Sequence, residues 1–161
     1  MKILSLTAGV PGSGKSTWIK KNKPDAVIIS RDAIRFSLLK DDEDYFAHED
    51  EVLEIFYSTI QEAIDANDDK EVIVDATHLN QKSRNSLFNN LNLNNVDWYK
   101  IYYFNVDIKT CIERNNQRSG RALVPENVIK NMYKSKTYPS KTEERFDTIV
   151  IIDDNGVVKE V

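Results

Sequence analysis

The stretch that decides the fold is residues 3–17, ILSLTAGVPGSGKST. Its first part, Ile3–Ala8, is mostly apolar and predicts a short buried strand. A glycine-rich turn follows at once, and the residues after it, as far as Lys21, are compatible with a helix. A strand, a turn and a helix in this order are typical of proteins that alternate strands with helices around a parallel sheet.

The rest of the chain continues this alternation. Further strands are predicted at 26–30, 71–75, 98–104 and 148–152, and helices at 31–40, 45–66, 81–91, 108–117 and from Pro125 to about Lys136. Asp154-Asn155-Gly156 then predicts a tight turn and a final hairpin over 157–161. We therefore expect one α/β domain over 1–161, with three layers, a mostly parallel central sheet of about five strands, and ligands at the carboxyl ends of the strands.

Composition excludes several classes of protein. The single Cys111 among 161 residues can form no internal disulfide, and no spaced Cys or His residues suggest a zinc site. No apolar run approaches the roughly 18 to 20 residues that cross a bilayer, and no leader follows Met1. We expect a cytoplasmic protein that does not enter a membrane.

Charge is segregated along the chain. The net charge of -4 argues against a protein that coats nucleic acid without specificity. Residues 41–54 carry eight acids and no Lys or Arg, which is typical of a solvated helix face. Residues 109–141 carry eight Lys or Arg and only two acids, so this later segment predicts a locally basic surface.

The glycine-rich turn has the pattern of a triphosphate cradle. Gly9, Gly14, Lys15 and Ser16 have the spacing of a Gly, four residues, then Gly-Lys-Ser, between a strand and a helix. Glycines let successive backbone N–H groups converge on phosphate oxygens, Lys15 reaches the outer phosphates, and the Ser16 hydroxyl binds Mg²⁺. The predicted ligands of ATP in this turn are Gly9, Pro11, Gly12, Ser13, Gly14, Lys15, Ser16 and Thr17, with Ser16 as the metal ligand.

Two residues after the second strand are candidates for the acceptor side of a phosphoryl transfer. Asp32 has the chemistry of a general base that accepts the proton of an attacking hydroxyl. Arg35, three residues later on one helix face, has the position to orient Asp32 or to hold an acceptor phosphate. Position alone leaves open the alternative that Asp32 only caps the following helix.

With these motifs in view, the chain resembles the phage-type 5′-hydroxyl polynucleotide kinases over nearly its whole length. The resemblance rests on four ordered motifs, which are Gly9–Trp18, Arg31-Asp32 with Arg35, Thr77-His78-Leu79-Asn80, and Arg114–Arg118 leading through Ala122-Leu123-Val124-Pro125 to Met132-Tyr133-Lys134-Ser135. It implies an adenylate-kinase-like P-loop kinase with a small lid, and ATP and Mg²⁺ as cofactors.

The resemblance also implies roles for individual residues. Asp32 becomes the general base, and Arg35 contacts a phosphate of the acceptor strand. Arg118 matches the lid arginine that stabilises charge on the transferring phosphoryl group. Arg114 and Val124 match residues that sandwich the adenine. Catalysis is thereby assigned to Lys15, Asp32 and Arg118.

The sequence departs from the family pattern at two places. Ala76 stands where the family has an acid before the Thr-x-Leu-Asn motif, and Asp75 lies one position back. We assign Asp75 and Thr77 to the acceptor site, with ordering of the Mg²⁺ waters as a second role open to Asp75. An extra residue between Arg118 and Pro125 changes the lid.

The predicted function is ATP-dependent transfer of the γ-phosphate to the 5′-hydroxyl end of DNA or RNA, without the phosphatase domain of the phage enzyme. An alternative is a kinase of a small-molecule hydroxyl, such as that of a nucleoside, sugar or antibiotic. A non-catalytic nucleotide-binding module is the third reading. The resemblance also allows for a homo-oligomer, and His48 and His78 are interpreted as ordinary polar residues.

Overall fold

The computed structural model describes residues 1–161. The strands are β1 (Ile3–Ala8), β2 (Val27–Ser30), β3 (Val72–Asp75), β4 (Trp98–Phe104), β5 (Thr148–Ile152) and β6 (Val158–Glu160). The helices are α1 (Lys15–Asn22), α2 (Arg31–Leu38), α3 (Glu49–Asp65), α4 (Gln81–Asn89), α5 (Ile108–Asn115) and α6 (Glu126–Ser135), with a short 3-10 turn at Gly120–Ala122. None of the helices combines the length and apolar character that a membrane span requires.

The sheet has six strands in the order β2-β3-β1-β4-β5-β6. All neighbours pair in parallel except β5 and β6, which form the predicted antiparallel hairpin. Because β1 lies between β3 and β4, the chain leaves β1 at the point where the strand order changes direction. A crevice at the carboxyl ends of the strands is expected there.

Helices cover both faces of the sheet, which confirms the three-layer architecture. One core lies against α3 and α4 and contains Phe56, Phe88 and Tyr103. The other lies against α1, α5 and α6 and contains Ile19, Cys111 and Ile129. Successive residues of β4 contribute to opposite cores, as the alternation of side chains along a strand requires.

Two predicted helix starts differ from the structure. Helix α3 begins at Glu49 and not at residue 45. The Glu43 carboxylate accepts a hydrogen bond from the Lys40 amide and contacts the His48 ring, and these contacts hold residues 40–48 in turns. Pro125 precedes α6 as its N-cap, since its ψ of 138° is extended.

Candidate active site

The glycine-rich loop between β1 and α1 is held in place on two sides. The Gly9 amide donates to the Thr77 carbonyl at 2.9 Å, which joins the loop to the segment after β3. Gly12 and Gly14 have φ of 84° and 87°, in the left-handed region that favours glycine. A Cβ at Gly12 would lie 2.2 Å from the Cys111 carbonyl oxygen, so helix α5 leaves room for no side chain there.

The same loop presents polar groups that the protein does not satisfy. The Ser13 hydroxyl is buried and has no hydrogen-bond partner. Helix α1 begins at Lys15 without a side-chain cap, so the N–H groups of its first turn face the loop unpaired. Such a loop fits phosphate oxygens, because they accept hydrogen bonds and the helix dipole favours negative charge.

Lys15 lies in this loop without a carboxylate partner. Its Nζ donates only to the Val10 carbonyl, at 3.4 Å. Burial lowers the pKa of Lys15, and the positive charge of Arg118 acts in the same direction, while Asp75 and Asp32 oppose the shift. An incoming phosphate would therefore meet a cation that has no competing ion pair.

Ser16 and Asp75 form a second polar group beside the loop. The Ser16 hydroxyl donates to Asp75 Oδ2 at 2.6 Å, and the Thr7 hydroxyl donates to Oδ1 at 3.1 Å. Asp75 is buried at the end of β3, next to β1. A hydroxyl and one carboxylate beside a phosphate cradle are the oxygen ligands that Mg²⁺ uses together with water and phosphates. The donor set therefore fits Mg²⁺, and Thr17 makes no contact with Asp75.

Arg114 and Val124 lie at the other end of the loop. Arg114 donates from Nη2 to the Asp154 carbonyl at 3.1 Å, and its Nη1 would lie 3.2 Å from a Cβ at Gly14. Val124 is held by the side chain of Asn115. Its Nδ2 donates to the Val124 carbonyl at 2.6 Å, and its Oδ1 accepts from the Val124 N–H at 3.0 Å. Arg114 thus lies beside Gly14, and Val124 packs against the core that contains Val10 and Cys111. The buried Asn115, which fixes Val124, was missed from the sequence.

Asp32 lies in the first turn of α2 and does not cap this helix. The N-cap is Ser30, whose hydroxyl accepts from the Ala33 amide at 3.1 Å. The carboxylate of Asp32 is 62% exposed, and its Oδ1 accepts from Arg35 Nη1 at 2.5 Å and from the Tyr45 hydroxyl at 2.8 Å. Its Oδ2 has no partner in the protein.

Arg35 is buried and fully occupied by its neighbours. It forms a two-pronged ion pair with Glu49 at 2.9 and 3.0 Å from Nη2, and it lies over the Tyr45 ring at 4.3 Å. Arg31 shares the same Glu49 carboxylate. In this structure Arg35 therefore orients Asp32, the first of its two predicted roles. Glu49 and Tyr45 were missed, because Glu49 is one acid among eight in its segment and nothing local distinguishes it.

The segment after β3 brings His78 into the interior. His78 has a φ of 39°, the one left-handed residue that is not glycine. Its Nδ1 lies 2.8 Å from the Thr7 carbonyl, and burial lowers its pKa to about 4, so the ring is neutral and Nδ1 donates. His78, interpreted from the sequence as an ordinary polar residue, is thus a buried residue that is hydrogen-bonded to Thr7. Thr77 contributes its carbonyl to Gly9, as described above.

The lid segment runs over the cleft from the end of α5 to Pro125. The Arg118 side chain is exposed and has no ion pair or hydrogen bond in the protein. Arg121 donates to the Lys40 carbonyl on the far side of the cleft. The lid thus connects the end of α5 with the segment after α2, and the charge of Arg118 lowers the pKa of Lys15.

Solved structures with this fold include kinases of different acceptors. The structure of a Pnkp1/Rnl/Hen1 RNA repair complex matches with a TM-score of 0.68 at 21% identity, over 91% of this chain but only 46% of the other. A fungal RNA kinase matches with a TM-score of 0.55 at 16% identity, over 94% and 74% of the two chains. A gluconokinase from Sinorhizobium meliloti 1021 matches with a TM-score of 0.53 at 18% identity, over 92% and 81%. At these identities the likeness shows the fold alone.

The comparison with protein families identifies the chain more directly. A family model described as AAA domain, AAA_33, matches residues 4–139. The match extends from β1 through the cradle and the lid to the segment after α6. The chain therefore belongs to the AAA_33 family of P-loop kinases.

Proposed function

We propose that this P-loop kinase transfers the γ-phosphoryl group of ATP to the 5′-hydroxyl end of DNA or RNA. The observation that carries the proposal is the state of Asp32. One of its oxygens is held by Arg35 and Tyr45, while Oδ2 has no partner and the side chain is largely exposed. A carboxylate held in this way is suited to accept a proton from an incoming hydroxyl.

In the proposed transfer, the groups around the cradle and Asp32 each have a separate role. The acceptor oxygen forms a bond to the γ-phosphorus, the bond between that phosphorus and the bridging oxygen to the β-phosphate breaks, and the hydroxyl proton passes to Asp32 Oδ2. Lys15 and Arg118 stabilise the negative charge that spreads over the transferring group. Mg²⁺, held through Ser16 and Asp75, supplies further charge neutralisation on the phosphates when it is bound.

A second candidate function is phosphorylation of a small-molecule hydroxyl. Exposed acids at Asp41, Asp42, Asp44 and Asp50 flank the segment that lies beside Asp32. They repel a polyanion, so a neutral acceptor meets less electrostatic resistance there than a long nucleic acid. The fold is also found in a gluconokinase. Cytoplasmic location and self-association stay predictions from the sequence.

The experiment that separates these functions offers several acceptors side by side. Transfer of labelled γ-phosphate is measured to 5′-hydroxyl oligonucleotides of DNA and RNA and to a panel of nucleosides and sugars. We expect labelling of the oligonucleotides, and a 5′-phosphorylated oligonucleotide is the matched control. Labelling of a small acceptor without any oligonucleotide would refute the proposal.

The role of Asp32 is tested by Asp32→Asn. This change keeps the size of the side chain but removes its ability to accept a proton, so we expect turnover to fall by about 100-fold or more. ATP affinity should stay within a few-fold, because Asp32 does not contact the cradle. Titration calorimetry with ATP provides that control. Unchanged turnover would return Asp32 to a structural role.

A further inference from the structure

Three aromatic side chains lie together beside Asp32 and form what we call the aromatic patch, Phe36, Tyr45 and Phe46. The ring centroids of Tyr45 and Phe46 are 4.8 Å apart, and those of Tyr45 and Phe36 are 6.1 Å apart, both edge to face. Phe36 shares a face of α2 with Asp32, four residues earlier. The patch is therefore part of the acceptor side of the cleft.

Tyr45 connects the patch directly to the candidate base. Its hydroxyl donates to Asp32 Oδ1 at 2.8 Å and accepts from Arg35 Nη1 at 2.7 Å. Burial and the negative charge of Asp32 raise the pKa of Tyr45 to about 12, so the hydroxyl stays protonated and keeps donating. The patch is thus joined to the proposed base by a direct hydrogen bond from Tyr45 to Asp32.

The outer rings of the patch are open. Phe46 is 63% exposed and Phe36 is 38% exposed, the only phenylalanines among the exposed large apolar residues. None of the three rings belongs to either hydrophobic core, so core residues do not cover them. The patch thus offers open ring surface next to the carboxylate to which the proposed function brings the acceptor hydroxyl.

The charges around the patch restrict what it can bind. Asp41, Asp42, Asp44 and Asp50 are exposed in the segment that carries Tyr45 and Phe46 and disfavour phosphates, so the patch itself suits an uncharged part of an acceptor. A cationic group is not required, because the Arg35 guanidinium already lies over Tyr45 at 4.3 Å. A flat, neutral ring suits both conditions, since it stacks on aromatic faces without bringing charge.

We propose that the aromatic patch binds the nucleobase of the 5′-terminal nucleotide of the acceptor, with Phe46 as its principal stacking surface. This inference rests on the proposed function, and it narrows the acceptor to molecules that carry a base next to the reacting hydroxyl. Stacking places the base while Asp32 receives the proton of the hydroxyl on the same nucleotide. The base does not need to be a particular one, because every base has an aromatic face.

The test removes either partner of the stack. Two 5′-hydroxyl oligonucleotides are compared that differ only in the terminal residue, which is a natural nucleotide in one and an abasic tetrahydrofuran residue in the other. For the unaltered protein we expect kcat/KM to be about ten-fold or more lower with the abasic end. For Phe46→Ala the two oligonucleotides should become equivalent, and Phe46→Tyr, which keeps a ring, should restore the preference. Equal rates for both ends with the unaltered protein would overturn the inference.

A matched control tests whether the effect is specific to Phe46, and a binding measurement tests the patch without turnover. Trp98→Ala removes a ring of 38% exposure at the amino end of β4, the end of the sheet opposite to the carboxyl end of β2 that leads into α2 and Asp32, and it should leave the preference for a base unchanged. Fluorescence anisotropy of both labelled oligonucleotides is measured with a non-hydrolysable ATP analogue. Base-dependent binding that Phe46→Ala abolishes, without phosphorylation of any oligonucleotide, would support the patch and refute the proposed function. Binding of both oligonucleotides without dependence on the base would refute the patch.

Discussion

Gly12 provides the sharpest test of the cradle, because both its conformation and its surroundings exclude a side chain. With alanine in its place, the Cβ would lie 2.2 Å from the Cys111 carbonyl oxygen, whereas ordinary contacts of carbon with oxygen begin at about 3.3 Å. The loop must therefore move by about 1 Å away from α5. The left-handed φ of 84° adds roughly 1–2 kcal/mol for any residue with a Cβ, and overpacking adds about 1–3 kcal/mol.

We expect Gly12→Ala to lower the free energy of unfolding by about 2–5 kcal/mol and kcat/KM for ATP by about 100-fold, since a 1 Å displacement of a positioning group has an effect of this size. Gly156→Ala is the matched control. Its φ of 76° is also left-handed, but its Cβ would approach no atom closer than 4.0 Å. Urea denaturation and nucleotide titration measure both quantities. If Gly12→Ala proved as stable and as active as Gly156→Ala, the close packing of the loop on α5 would be refuted.

Three further predictions concern buried charges. Asp75→Asn removes the negative charge of the carboxylate that accepts a hydrogen bond from Ser16 at 2.6 Å. It should raise the Mg²⁺ concentration that gives half-maximal turnover by about 10- to 100-fold. If that concentration did not change, Asp75 would not belong to the metal site. Arg84→Met leaves the buried Glu144 carboxylate without its partner at 2.7 Å, and it should lower the free energy of unfolding by about 3–5 kcal/mol. A second change, Glu144→Leu, should recover part of this loss. A double variant less stable than Arg84→Met alone would contradict this account. The pKa of His78 is lowered from 6.5 to about 4, so the unfolded state binds more protons between these values, and stability should fall as the pH falls through this window, by about 2 kcal/mol between pH 7.5 and 5. His78→Asn tolerates the left-handed φ and does not titrate, so its stability should vary less with pH by this amount, and an equal dependence in both proteins would exclude His78 as the cause.

Several features of this protein were predictable from short stretches of sequence. The limits of β1 and β4 follow from their apolar residues, and the cradle follows from its glycine spacing, because backbone conformation at glycine and the periodicity of side chains are local properties. The alternation of strands and helices was enough to predict the three layers. The start of α3 was missed for an equally local reason, since side-chain hydrogen bonds around Glu43 compete with the helix.

The groups that decide the chemistry lie far apart in the chain, and only the order of the strands brings them together. Ser16 reaches Asp75, 59 residues later, because β3 pairs directly with β1. The sequence left Asp32 as either a base or a cap, and the contacts of Ser30, Tyr45 and Glu49 in three dimensions remove the cap from consideration. A sequence pattern reports which residue types occur at which spacing, whereas partners across elements depend on how the sheet is ordered. The nucleotide cradle can therefore be predicted from the sequence, because its conformation depends on neighbouring residues. The surroundings of the proposed acceptor site depend on contacts between distant segments and are known only from the folded chain.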